Sequence, residues 1–413
     1  MSRKGIHEYH RTEFIGERLE QFLAEILFPA CSRTQQRHWG SVYVRGQLLD
    51  GERKSVGAMA ERMPDGNEQA MQQFVSQSTW SFSSVRERLA QRMEPVLPPN
   101  GAWVIDDTGF PKKGSHSVAV ARQYSGTLGK VGNCQVAVSI HLATQAGSFP
   151  LDFQLYLPQE WADDPERCRK AGVPAEVKYQ PKWRIALDSI EQVREWKLVD
   201  QPVVADAAYG RVTEFRDSLV EWKLGYVLGM DEGMGCWLGD VPAVRRQGNG
   251  KGRPPTRYDY GDHRPLSALE VAQRLPTEAW EDLAWDKGTK GPLRSRFAAA
   301  RIHASHGYLH GVKPRDEEWL IIEWPEGEAK PTDYWISNLP PNTPLKELVR
   351  LGKIRWRIEQ DYQQLKEELG LDHFEGRSWL GWNRHVTLTM IAFAFLLLER
   401  VRRQKGGSMR SLP

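Results

Sequence analysis

Trp103-Val104-Ile105-Asp106-Asp107-Thr108 is a β-branched, apolar run that ends abruptly in acid. The pattern is that of a buried strand delivering a carboxylate at its C-terminal end. Pro202-Val203-Val204-Ala205-Asp206-Ala207-Ala208-Tyr209-Gly210 repeats it and closes on small residues and glycine. An acid at the end of an apolar strand is costly unless something offsets its charge. A cap or turn Asp would explain either one alone. A third acid changes the weighing. Arg355, Glu359 and Lys366 stand at i, i+4 and i+11 in a stretch, Ile354 to Leu369, whose pattern predicts one helix. On a regular α-helix they fall within about 40° of one another. Ile354, Ile358, Leu365 and Leu369 form the apolar stripe beside them, so the helix faces a core with a charged flank. A solvated i,i+4 ion pair would account for Arg355 and Glu359 by themselves. Three acids from three distant segments point instead to a metal-binding triad of Asp106, Asp206 and Glu359. The first member is ambiguous, because adjacent strand residues face opposite sides and only one of Asp106 and Asp107 can enter a shared site.

Composition sets the surrounding limits. A chain of 413 residues is long enough for two or three domains. A formal charge of +3 is too small to identify a nucleic-acid partner, so the distribution of charge matters more. Between Val241 and Asp316 there are 14 Lys and Arg against 8 Asp and Glu. Within that stretch the glycine-rich run from Arg245 to Pro255 carries Arg245, Arg246, Lys251 and Arg253 and reads as a basic loop suited to lie along DNA. The four cysteines are far apart and lack a CxxC or Cys/His zinc spacing, which suggests buried thiols in a reducing compartment. The first residues, with Arg3, Lys4 and His7, lack the apolar stretch of a signal peptide, and Met390 to Leu398 is too short for a membrane span. A soluble, cytoplasmic protein without membrane contact is expected, with that apolar run in a buried helix.

Residues 1–98 read as helical, with helices expected from Glu52 to Met63, Asn67 to Val75 and Ser81 to Met93. Short tandem helices permit a DNA-binding unit, with Arg86, Arg88 and Arg92 available to phosphate; a helical packing domain fits equally. Strands are expected over Trp103–Asp107, Ser117–Tyr124 and Cys134–Leu142. A helix (Trp183–Trp196), a strand (Val203–Asp206), a helix (Thr213–Lys223) and a short strand (Tyr226–Leu228) follow. Residues 229–352, rich in Gly, Pro, Arg and Trp, contain strand-like runs at Trp319–Trp324 and Tyr334–Ser337.

At the acidic segments the chain resembles the DDE transposases of bacterial insertion sequences, specifically the insertion-sequence family numbered 701. The resemblance is carried by Ile105-Asp106-Asp107-Thr108-Gly109-Phe110-Pro111-Lys112-Lys113-Gly114, Ser117 to Gly126, Asn133 to Val138, Leu155-Tyr156-Leu157-Pro158 leading to Trp161, and Val204 to Gly210. It covers about residues 20 to 400. Related transposases carry a Tyr-x2-Arg-x3-Glu-x6-Lys signature; Arg355, Glu359 and Lys366 fit its spacing, while Gly352 stands at the Tyr position. The related Asp-x-Thr pattern selects Asp106 over Asp107.

The resemblance implies an α/β fold with a ribonuclease-H-like (retroviral-integrase-like) catalytic core in two parts, residues 99–228 and 353–413. A helical N-terminal DNA-binding domain (1–98) and a largely β insertion domain (229–352) would accompany it. It implies catalysis by Asp106, Asp206 and Glu359 holding two Mg²⁺ or Mn²⁺ ions, since oxygen-only ligands favour those metals over zinc. Arg355 and Lys366, with Lys112, Lys113 and Arg122, would contact DNA phosphates. The expected activity is cut-and-paste transposition: cleavage at transposon ends through a hairpin, then strand transfer into target duplex by a homodimer on DNA. A catalytically silent DNA-binding protein and a stand-alone metal-dependent nuclease are the other readings. Trp237, Trp319, Trp324 and Trp335 are candidates to stack on a flipped base, ordinary core being the alternative for each. His303, His306 and His310 have a spacing suggestive of zinc, but Gly307 and Gly311 interrupt any helix there. Asp163 and Asp164 read as a helix start.

Overall fold

The computed structural model describes residues 3–245, 256–288 and 291–408. Five helices come first: α1 (Arg3–Ile26), α2 (Thr34–Leu48), α3 (Val56–Arg62), α4 (Glu68–Ser76) and α5 (Phe82–Met93). Four strands follow, β1 (Ala102–Pro111), β2 (Ala121–Ser125), β3 (Lys130–Thr144) and β4 (Gly147–Leu155), then helices α6 (Gln159–Ala162), α7 (Pro165–Ala171) and α8 (Lys182–Glu195). Next come β5 (Val203–Ala205), α9 (Ala207–Gly210), α10 (Thr213–Glu221) and β6 (Tyr226–Met230). The strands β7 (Gly235–Leu238), β8 (Val244–Arg245), β9 (Tyr258–Asp259) and β10 (Leu266–Ser267) precede α11 (Ala268–Arg274). The chain then runs through β11 (Glu281–Gly288), β12 (Gly291–Ala304), β13 (Glu318–Glu323) and β14 (Asp333–Ser337). It ends in α12 (Leu345–Lys353), α13 (Trp356–Gln363), a π-helical turn (Gln364–Glu368) and α14 (Trp379–Ser408). The fold is mixed α/β, in two compact units.

One unit comprises Met1–Asn100, Asp106–Val199 and Arg357–Pro413. Its centre is α14, which packs against α2, α4, α5 and β4. Val386, Leu388, Met390, Ile391, Ala392 and Ala394 are all fully buried, because no charged residue lies between Arg384 and Glu399 to hold a face in water. Among the described residues no helix is long and apolar enough to cross a membrane. Two polar groups on α14 are bonded to α2: His385 Nδ1 to the Tyr43 hydroxyl at 2.8 Å, and Thr389 Oγ1 accepts from Gln47 Nε2 at 2.7 Å. Two of the expected helices are capped by their first residues, the Asn67 and Ser81 side chains accepting from Ala70 N and Ser84 N. The basic face expected on α5 is not there. Arg86 is 2 % exposed and its guanidinium is bonded within the core, while Arg88 Nε donates to Ile26 O and Arg92 pairs with Glu25.

In the same unit β3 pairs antiparallel with β2 and β4 and neighbours β1. β4 was missed in the sequence because Pro150 lies inside it. The register shifts at Ile140/His141, opposite that proline, which is where a strand tolerates one. β1 also runs five residues past Asp106 to Pro111, since its second half has β3 alongside.

The other unit comprises Gly101–Ile105 and Asp200–Trp356. The start of β1 pairs in parallel with β5 (Trp103 with Val203, Val104 with Val204), and β5 pairs in parallel with β6. From β6 onward all pairing is antiparallel, through β14, β13, β12, β7 and β10, with β11 forming a hairpin on β12. The runs Trp319–Trp324 and Tyr334–Ser337 correspond to β13 and β14. Helix α9 sits close on β6: a Cβ at Gly229 would lie 2.7 Å from Ala207 N and 3.0 Å from Asp206 C. Glycine is required there for the backbones to approach.

Candidate active site

Asp206 follows β5 directly and caps α9, its carboxylate accepting from Ala208 N at 2.9 Å. A short, buried Val-Val-Ala strand thus ends on an acid held by a helix N-terminus, where negative charge is favoured. In the same unit Arg211, one turn on, pairs with Asp231 at 3.1 Å. Asp106 follows the last registered pair of β1 and β5, Val104 with Val204, by two residues, as Asp206 does.

In its own unit Asp106 is 9 % exposed, and its Oδ1 accepts from Asp107 N at 2.8 Å. Asp107 is half-buried and forms an ion pair with Lys182 at the start of α8. The adjacent acids therefore differ in exposure, Asp106 being the more buried, and Asp107 is paired with a lysine that the sequence pattern does not single out. Thr108 Oγ1 is buried and, among the described residues, has no hydrogen-bond partner.

The stretch around the third acid differs from the single helix expected. A turn at Ile354 and Arg355 separates α12 from α13, and the last residues, Gln364–Glu368, wind as a π-turn. Arg355 thus lies before the helix, Glu359 is exposed in its first turn, and Lys366 lies in the π-turn, so the three do not share one regular α-helical face. No proline marks the break, and tertiary packing decides it. Gly352, which stands at the Tyr position of the expected signature, is buried in α12 with the Trp335 indole 3.3 Å from where its Cβ would be.

Behind Glu359, α13 turns Asp361 and Tyr362 into the core. The Tyr362 hydroxyl bonds Ser139 Oγ at 2.5 Å, and Asp361 bonds His141 Nδ1 at 3.0 Å and Ser148 Oγ at 2.7 Å. Burial, and after it the charge of Asp106, holds the Tyr362 hydroxyl protonated far above its usual range. This electrostatic coupling makes α13 a neighbour of Asp106. Lys366 Nζ donates to Gly109 O at 2.8 Å and to Thr127 Oγ1 at 2.9 Å, and burial lowers it to about 8. The Ser139, His141, Asp361 and Tyr362 group was invisible in the sequence; the only signal was a Ser and a His within the apolar second half of β3.

The remaining candidates are scattered. Lys112 Nζ donates to the carbonyls of Asp372 and Phe374, whereas Lys113 and Arg122 are exposed. Arg245 is exposed in β8; Arg246, Lys251 and Arg253 lie outside the described residues. Trp335 and Trp237 are buried; Trp319 and Trp324 are partly exposed, each with an arginine over its ring, Arg301 at 4.8 Å and Arg296 at 5.4 Å. His303 Nδ1 meets Arg315 O at 2.8 Å. Among the described residues no three His, Cys, Asp or Glu side chains are gathered as a metal-binding group. The donor chemistry of Asp106, Asp206 and Glu359 nevertheless suits a hard divalent cation, being oxygen throughout.

Residues 26–292 of the chain match the family model described as DDE superfamily endonuclease. That stretch contains Asp106 and Asp206 and ends before Glu359. The chain is also similar to the probable transposase for insertion sequence element IS701 of Microchaete diplosiphon, 25% identical over 335 residues, covering 80% of this chain and 74% of the relative.

Proposed function

The chain belongs to the DDE superfamily endonucleases, and from that premise we propose that it is a cut-and-paste DNA transposase. The observation that carries the reading is the pairing register of β1 and β5, from which Asp106 and Asp206 are each two residues on. Glu359 is proposed as the third acid. The expected core is ribonuclease-H-like, with residues 1–98 gripping DNA and residues 229–352 as an insertion. Two Mg²⁺ or Mn²⁺ ions held by these carboxylates would supply activation of the attacking oxygen and stabilisation of the leaving one at phosphorus.

The chain's own residues do the rest. Asp106 is proposed as the ligand of the adjacent pair, a reading supported by the ion pair that Lys182 makes with Asp107. Arg355 and Lys366, with Lys112, Lys113, Arg122, Arg245, Arg246, Lys251 and Arg253, are the proposed phosphate contacts, stabilising charge without moving protons. The substrate is duplex DNA at the element's ends, cut through a hairpin, and then target duplex. Two copies act together, because both ends must be joined to one target.

The test is cleavage of a labelled duplex carrying the element's end, in Mg²⁺ or EDTA. Wild type is run beside Asp106→Asn, Asp107→Asn, Asp206→Asn and Glu359→Gln. Metal-dependent nicking and hairpin product are expected, lost in all variants except Asp107→Asn. Binding of the correct end without cleavage in either metal would make the protein a silent DNA binder. Cleavage without joining to a second duplex would make it a nuclease.

A further inference from the structure

The second face of β3, from Ala137 through Ser139 and His141 to Ala143, is fully buried. A hydroxyl and an imidazole are costly there unless bonded. Their partners are two consecutive residues of α13: Tyr362 takes Ser139 and Asp361 takes His141, with Ser148 of β4 closing on the second oxygen of Asp361. Neighbouring residues of a helix differ by 100° of rotation and 1.5 Å of rise. A helix tied at both therefore cannot rotate or slide without breaking one tie. Apolar side chains of similar size would pack the helix at least as stably, but without fixing its phase. A third tie lies beyond, where the π-turn brings Lys366 Nζ to Gly109 O, three residues past Asp106 on β1. π-turns inside helices occur frequently at functional sites. Glu359 sits two residues before Asp361, on the exposed side of the same short helix.

We infer that Ser139, His141, Asp361 and Tyr362 are positioning residues for Glu359: by tying α13 to β3 they fix where its carboxylate stands, and so set the affinity for the divalent metal. This rests on the reading of Glu359 as a metal ligand.

The experiment measures Mn²⁺ binding by titration calorimetry to the full chain, together with thermal melting in EDTA. Wild type is compared with Tyr362→Phe, Ser139→Ala, Asp361→Asn and Glu359→Gln. Tyr43→Phe is the matched control, since it removes a buried hydroxyl bonded to His385 in the same unit. Tyr362→Phe and Ser139→Ala are expected to weaken Mn²⁺ roughly tenfold or more, the usual effect of removing a group that orients a ligand. Tyr43→Phe should lower the melting temperature to a similar extent and leave Mn²⁺ affinity unchanged. If Asp361→Asn does not fold, the two hydroxyl variants decide alone. Wild-type affinity in both of them, with affinity lost in Glu359→Gln, would overturn the inference and leave the triad standing. Wild-type affinity in Glu359→Gln would overturn both.

Discussion

Replacing Arg86 with Met should destabilise the protein by several kcal/mol without touching its affinity for DNA. The guanidinium, 2 % exposed, makes every bond inside the core. Nε donates to Thr387 Oγ1 at 2.8 Å, Nη1 to Asp152 Oδ1 at 2.7 Å and Phe153 O at 2.8 Å, and Nη2 to Asn383 O and Oδ1 at 3.0 and 3.1 Å. Burial depresses its pKa even with Asp152 opposing that, so the ion pair offsets only part of a large desolvation cost. Removing one partner leaves the Asp152 carboxylate, itself 2 % exposed, with Gln154 Nε2 at 2.6 Å as its hydrogen-bond donor among the described residues. Breaking a buried pair in this way costs about 3–5 kcal/mol. For a unit of this size that is a melting temperature lower by roughly 10 °C. Removing both charges together, as Arg86→Met with Asp152→Leu, should recover most of the loss, because the pair itself contributes little net stability. Thermal and urea unfolding read the first effect, and a filter-binding assay with end DNA reads the second. A variant that melts within 2 °C of wild type and binds DNA poorly would refute the argument and return Arg86 to the phosphate-contacting role its sequence position suggested.

Three further outcomes follow from particular contacts. Gly229→Ala places a Cβ against the backbone of Asp206 and Ala207 and should cut nicking at least tenfold, while Gly233→Ala, with open space around it, should leave the rate unchanged; single-turnover kinetics on labelled ends compare them. Gly352→Tyr should destabilise by about 1–3 kcal/mol, through overpacking against Trp335, and urea midpoints check it. Lys366, lowered by burial from 10.5 to about 8, binds its proton less well folded than unfolded, so its contribution to stability rises as pH increases between those values. Lys366→Met should flatten that slope and gain most stability below pH 8; equal gains at pH 7 and pH 10.5 would contradict the assigned burial.

Much of the architecture was legible because it is local. The strands around Trp103 and Val203 follow from β-branched runs, and the helix starts at Asn67 and Ser81 from side chains that cap their own helix. Asp106 and Asp206 stand out as candidates because an acid closing an apolar run is conspicuous wherever it occurs. What misled was context. β4 was hidden by Pro150, tolerated only because the partner strand shifts register there. The charged face of α5 was illusory, since a basic residue at a surface-like spacing becomes core once Asp152 and Asn383 arrive from distant parts of the chain.

By itself the sequence determined where several of the strands and helices begin and which residues carry acid, since both depend on neighbours within a few positions. Only the tertiary structure paired Asp107 with Lys182, some seventy-five positions away. It alone broke the expected helix at Arg355 and wound its end as a π-turn. It alone joined Asp361 and Tyr362 to β3. These are choices among locally equivalent states, decided by burial and by hydrogen bonds to residues far off in the chain, and no local pattern encodes them.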